Sequence, residues 1–160
     1  MALVKDTNSY VTRAEADAYF ADRLDAAVWN ATDDATKDQA LITATTQVDN
    51  QQYTGYAVSD TQALAWPRVG EYFDPRVGSA VIFEDDVVPT RILNATYEMA
   101  LHLLSNSGLL DDTGKVKSLK VGQIELVNIR NASKIPYSVN LQIQPLLTRA
   151  NLTNSWFRAN

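Results

Sequence analysis

Apolar residues recur at helical spacing in four stretches of this chain, and the intervals between those stretches follow other rules. The first stretch opens at Thr12-Arg13-Ala14-Glu15, a capping box in which Thr12 is the N-cap and Glu15 reaches back to its amide. Ala16, Tyr19, Phe20 and Leu24 follow as one apolar stripe, with Trp29 placed to fold back onto it from the next turn. Thr32 reads as the cap of a second helix, with Asp33 and Asp34 in its first turn, where carboxylates favour the positive end of the helix dipole. Its stripe is Leu41, Ala44, Thr45 and Val48, and the two helices read as a short antiparallel pair. The strongest helix starts at Pro89, which has no N–H to leave unpaired in a first turn. It carries Ile92, Ala95, Met99 and Leu103, with Tyr97, Ala100 and Leu104 widening the stripe. A fourth helical pattern runs from Ser138 to Leu147 through Val139, Leu141, Ile143 and Leu146, shortened by Pro145.

Between the second and third helices the periodicity disappears. Gly55, Pro67, Gly70, Pro75 and Gly78 interrupt residues 52–88 every few positions, which predicts a long irregular loop with Ala63–Trp66 and Ala80–Phe83 as extended pieces laid over the helices. Loops of that length usually serve function or assembly. After a turn at Asp111-Asp112-Thr113-Gly114, Ile124 and Leu126 alternate with polar neighbours, predicting a β-hairpin across Gly122 near residues 115–130. The expected fold is therefore mainly α: a small bundle of about four helices, one hairpin, and a long irregular loop between helices 2 and 3. Residues 1–150 form one domain in this reading, with 151–160 as an extended tail. A chain of 160 residues buries roughly 70% of its unfolded surface, which suffices for one core.

Charge changes the picture more than composition does. The net charge is −5, but residues 1–114 hold 7 Lys/Arg against 18 Asp/Glu, while residues 115–160 hold 7 Lys/Arg against Glu125 alone. Such segregation steers association, between copies or with another protein, more than it decides a fold. The absence of cysteine excludes disulfides and thiolate metal sites. The polar opening from Met1 to Asp6 does not read as a secretory signal and no apolar run reaches the ~20 residues of a membrane span, so synthesis in the cytoplasm is expected.

Catalytic chemistry is poorly supplied. The one histidine, His102, lies between Leu101 and Leu103 inside the apolar helix, where it reads as a packing residue rather than a base. Glu84-Asp85-Asp86 are consecutive, so they diverge instead of converging on an ion, and Gly114-Lys115 lacks the upstream glycine of a phosphate loop. No enzyme activity, metal or cofactor is expected. Lys115, Lys117 and Lys120 form a basic stretch beside the hairpin, but single-strand binding also wants aromatic platforms, and the nearest ring is Tyr137. In Trp66-Pro67-Arg68 the proline holds Trp66 extended, so that its ring anchors the loop between helices while Arg68 is presented outward. Tyr19, Phe20, Trp29, Trp66 and Pro67 are the expected structural anchors.

In order along the chain, several segments resemble the head–tail adaptor (connector) proteins of tailed phages. They are Ser9-Tyr10-Val11-Thr12-Arg13-Ala14-Glu15-Ala16-Asp17-Ala18-Tyr19-Phe20, then Trp29, Lys37-Asp38-Gln39-Ala40-Leu41-Ile42 and Gln62-Ala63-Leu64-Ala65-Trp66-Pro67-Arg68. Val88-Pro89 with the helix Ile92 to Leu104, Lys120-Val121-Gly122, and Leu141 to Leu147 complete the series. The resemblance implies a helical bundle with a hairpin, arranged as a ring of twelve copies beneath the portal, joining it to the tail or nozzle proteins and leaving a channel for genomic DNA. It implies residence in the virion at the head–tail junction, after synthesis in the host cytoplasm, with no membrane partner. Members are sometimes labelled as similar to a primosomal single-stranded-DNA-binding protein, and weak single-stranded-DNA binding is the alternative function. Within the adaptor reading, Leu126 to Ile129 are apolar on both faces of the hairpin's end and suit a neighbouring subunit. Lys117 and Lys120 are expected to face an acidic neighbour. Trp156, Phe157 and Arg158 are of the types enriched at interface hot spots and are expected to dock into the portal, with Arg68 a further contact.

Overall fold

Helix α1 (Arg13–Ala21) starts at the predicted capping box: Thr12 accepts from the Glu15 N–H, and the Glu15 carboxylate accepts from the Thr12 N–H at 2.7 Å. The computed structural model describes residues 2–106 and 135–148, and the backbone of 118–121 and 124–127. Helix α1 stops before Leu24, which is fully exposed and does not belong to the stripe, because the chain turns at Asp22. Trp29 sits on a short helix of its own, α2 (Ala27–Ala31), and not in a turn. Helix α3 (Asp34–Asp49) is capped by Asp33, whose side chain accepts from the Thr36 N–H; Thr32 instead ends α2. Helix α4 (Thr90–Ser105) buries Ile92, Ala95, Met99, Ala100 and Leu103, and α5 (Tyr137–Ile143) continues into a 3-10 turn at Gln144–Leu146. Leu141 leaves the predicted stripe for solvent, while Val139, Ile143 and Leu146 are buried.

The segment expected to be irregular is ordered by hydrogen bonds. Strand β1 (Tyr56–Ala57) pairs with β2 (Arg68–Val69), and β3 (Glu71–Asp74) pairs antiparallel with β4 (Ser79–Ile82). The glycines and prolines that interrupt it mark turns between short strands: Gly78, at φ +76°, closes the β3–β4 turn, and its N–H donates to the Asp74 carbonyl at 2.8 Å. The expected hairpin near 115–130 is present as β5 (Ser118–Val121) and β6 (Ile124–Val127), with Lys120 opposite Glu125 and Leu119 opposite Leu126. Five helices and three two-stranded antiparallel ladders among the described residues make this a mixed α and β fold rather than a mainly α one.

Helix α4 is the centre of the packing, touching α3, α5 and α2. One aromatic group holds the first 30 residues onto it. Tyr19 stacks on Tyr97, with Phe20 edge-on to both and its ring 4.8 Å from that of Trp29. Trp29 Nε1 and Lys37 Nζ both donate to Asp17, at 2.8 and 3.0 Å, and the Tyr19 hydroxyl donates to Glu98 at 2.8 Å. A second group, Tyr53–Trp66–Phe83–Tyr72, fastens the strand region to the end of α3. Trp66, which follows a trans peptide and precedes a cis bond to Pro67, is thus buried among loop and strand rings and not between helices. No helix among the described residues is long and apolar enough to cross a membrane.

Candidate functional site

The distribution of paired and unpaired charge defines what the described surface can bind. Each of its seven Lys and Arg side chains from Lys5 to Arg91 is engaged within the chain. Lys5 pairs with Glu15, Arg13 with Asp34 and Asp38, Arg23 with Asp25 and Glu98, and Lys37 with Asp17. Arg76 and Arg91 share Asp74, at 2.8 and 3.2 Å. Arg68 departs from the outward placement expected of it. Its Nε donates to the Thr54 carbonyl at 2.9 Å, Nη1 to Ala65, and Nη2 to Tyr53 and Gly55. The guanidinium fork thereby stitches the β1 turn to the Trp66 segment, a use of rigid donors that a lysine could not reproduce.

The acids are not consumed in the same way. Asp6, Asp22, Asp33, Asp60, Glu71, Glu84, Asp85 and Asp86 are exposed and have no Lys or Arg partner among the described residues. Asp49 is spent internally, accepting from the Tyr10 hydroxyl and from the Ala65 N–H at 2.7 Å. Burial first, then this carboxylate, pushes the Tyr10 hydroxyl far above its ordinary range, so Tyr10 acts as a fixed donor. Asp74 is the reverse case: hydrogen bonds from the Arg76 side chain and N–H, then from Tyr72, hold its carboxyl well below the usual range. In the Tyr19–Glu98–Arg23 network, burial and the Glu98 hydrogen bond push Tyr19 up to about 12.

The β3–β4 hairpin supplies the apolar part of the same surface. Tyr72 and Asp74 turn inward, whereas Phe73 (53% exposed), Ile82 (75%) and Val77 in the turn (65%) face solvent. Phe73 and Ile82 are diagonal neighbours on one face of the ladder, and Glu71, Glu84, Asp85 and Asp86 flank them in sequence. Sequence reasoning named none of the three apolar residues. The available signal was the pair of strand-forming runs Tyr72-Phe73 and Val81-Ile82 on either side of the turn formers Pro75 and Gly78.

His102 is half-buried, with Nδ1 3.2 Å from the Asn106 amide nitrogen and Nε2 enclosed without a hydrogen-bond partner among the described residues. Among the described residues no group of three His, Cys, Asp or Glu could hold a metal ion. Of the expected binding residues, Lys120 and Leu126 lie on the β5–β6 ladder, while Lys117, Ile129, Trp156, Phe157 and Arg158 lie outside the described residues. Tyr19, Phe20, Trp29 and Trp66 are parts of the packed groups above, and Pro67 is half-buried next to Trp66 in the chain.

Compared with protein families, residues 2–158 match the family described as "Putative DnaT-like ssDNA binding protein". The chain belongs to that family. The description agrees with the single-stranded-DNA label attached to the adaptor resemblance, and it says nothing of portal, tail or virion. Comparison with curated proteins and with solved structures gives no match.

Proposed function

We propose that this member of the DnaT-like family is a structural assembly protein, a head–tail adaptor that forms a ring beneath the portal and leaves a channel for DNA. One observation carries the reading: the described surface has spent all its cations internally and presents unpaired carboxylates beside an apolar hairpin. Phosphate contacts dominate nucleic-acid affinity, so such a surface repels a DNA strand and invites a protein. An acidic wall suits a channel through which DNA must pass without sticking. The partners are the portal, tail or nozzle proteins and further copies of the chain, twelve in a ring. Residues 1–150 act as one domain and 151–160 as a docking tail, with Trp156, Phe157 and Arg158 on the portal and Lys117, Lys120, Leu126 and Ile129 on a neighbouring copy. The protein is made in the host cytoplasm and resides in the virion; no catalysis, cofactor, metal or membrane enters this reading. Electron microscopy of the protein mixed with the portal ring of the same genome tests it. An added symmetric layer is the expected result, and intact portals that stay bare reject it.

The family description favours a second reading, single-stranded-DNA binding, for which the basic residues from Lys115 onward are the available cations. It requires an oligonucleotide mobility shift that weakens steeply with salt, by about 0.7 log units of affinity per log unit of salt for each phosphate neutralised.

A further inference from the structure

The outward face of the β3–β4 hairpin has the features of half an interface, and the charge of this chain identifies the other half. Among the described residues β4 pairs only with β3, and Ser79-Ala80-Val81-Ile82 contains neither charge nor proline to guard its other edge. Exposed Phe73 and Ile82 cover that face. Glu71, Glu84, Asp85 and Asp86 flank it in sequence and have no cation partner among the described residues, where Arg76 and Arg91 pair with Asp74. A partner must therefore bring apolar side chains, a strand edge and positive charge together. The segment 115–134 offers them: five Lys/Arg against Glu125 in its sequence, with 118–121 and 124–127 forming a second two-stranded ladder whose sequence includes Leu119, Val121, Ile124, Leu126 and Val127.

We infer that the β3–β4 hairpin of one copy receives the β5–β6 hairpin of a second copy, with Glu84, Asp85 and Asp86 facing Lys117 and Lys120. The inference rests on the assembly reading above and names its surface. Two different patches of one chain make a heterologous contact, which repeats from copy to copy and closes into a ring when the rotation allows.

Two variants test it without the portal. Phe73→Asp/Ile82→Asp removes the acceptor face, and Lys117→Glu/Lys120→Glu removes the donor hairpin; exposure of Phe73 and Ile82 leaves the core intact, which circular dichroism checks for both. Light scattering at low salt should show wild-type oligomers that grow with concentration, and self-association at least about tenfold weaker in each variant. A 1:1 mixture of the two variants should form a dimer and stop there, because one supplies only a hairpin and the other only a face. A mixture that stays monomeric while the wild type associates overturns the inference. So does a wild type that is monomeric at every concentration, which would place the basic hairpin on its own chain, or a basic hairpin whose charge reversal abolishes oligonucleotide binding and leaves self-association unchanged. The adaptor reading fails separately: a variant dimer with bare portals keeps the contact and loses the portal, and a portal layer without the dimer does the opposite.

Discussion

Two side chains in the strand region show how single residues hold this surface in place. Asp74 lies beneath the hairpin turn, accepting from the Arg76 N–H at 2.9 Å, from the Tyr72 hydroxyl at 3.1 Å and from Arg91, whose side chain is only 15% exposed. Because its folded-state carboxyl is depressed, Asp74 stabilises the fold above the ordinary carboxylate pKa of about 4, and that contribution is lost as the pH falls through the depressed value. Asp74→Asn should therefore melt below the wild type at pH 7, and the difference should shrink as the pH falls below about 4; thermal melts across that range check it. A gap that stays constant from pH 7 to pH 2 would mean that shape, not charge, sets the role of Asp74. Arg68 works through geometry instead. Arg68→Lys keeps the charge but cannot reach four carbonyls from one nitrogen, so a loss of about 1–3 kcal/mol is expected in urea unfolding.

Elements were legible in the sequence where one rule dominated, and obscure where several short ones competed. Helix α4 followed from its stripe and α1 from its capping box, since both signals are local and repeated. Leu24 and Leu141 show the limit: periodicity continues past the point where the chain leaves the core, and only tertiary packing marks that point. The strands of 56–82 were hidden because pairs of two and four residues are too short to show alternation, while their turns carry the strongest breakers. The acidic and basic partition of the candidate surface could be counted from the sequence. That every described Lys and Arg is already engaged within the chain could not, since Arg23–Glu98, Arg91–Asp74 and the Arg68 bonds to backbone carbonyls join residues far apart in the chain. The strand region makes its own prediction. A Cβ at Gly55, where φ is +73°, would stand 2.2 Å from the Val69 carbonyl oxygen, inside the β1–β2 ladder. At Gly78, with φ +76°, it would meet nothing within 4 Å. Gly55→Ala should cost about 3 kcal/mol or more and Gly78→Ala about 1 kcal/mol, the strain of a left-handed conformation alone. Equal losses in the two variants would show that the close approach at Gly55 relaxes freely.

For the whole molecule the decisive quantity is where positive charge remains free. With six of the first seven cations paired to carboxylates and Arg68 bound to backbone carbonyls, a contact that needs a cation draws on the seven between Lys115 and Arg158. The hairpin segment and the tail divide them, and the two readings of function use them differently. A DNA-binding protein would need most of these cations at once, so losing one arginine from the tail would weaken it modestly and make binding slightly less salt-sensitive. A docking tail concentrates its energy in few side chains: an anchor of Trp156, Phe157 and Arg158 is worth about 2 kcal/mol or more, roughly thirtyfold in affinity. Deleting residues 151–160 should therefore cut portal binding by that factor or more while leaving the melting temperature near the wild-type value, because all the buried side chains of the described core lie before residue 147. Surface plasmon resonance on immobilised portal, with calorimetry on the same preparations, separates the two effects. Unchanged portal affinity in the truncated protein rejects the tail as the anchor. A large loss of stability in the truncated protein would mean instead that the tail packs onto its own domain.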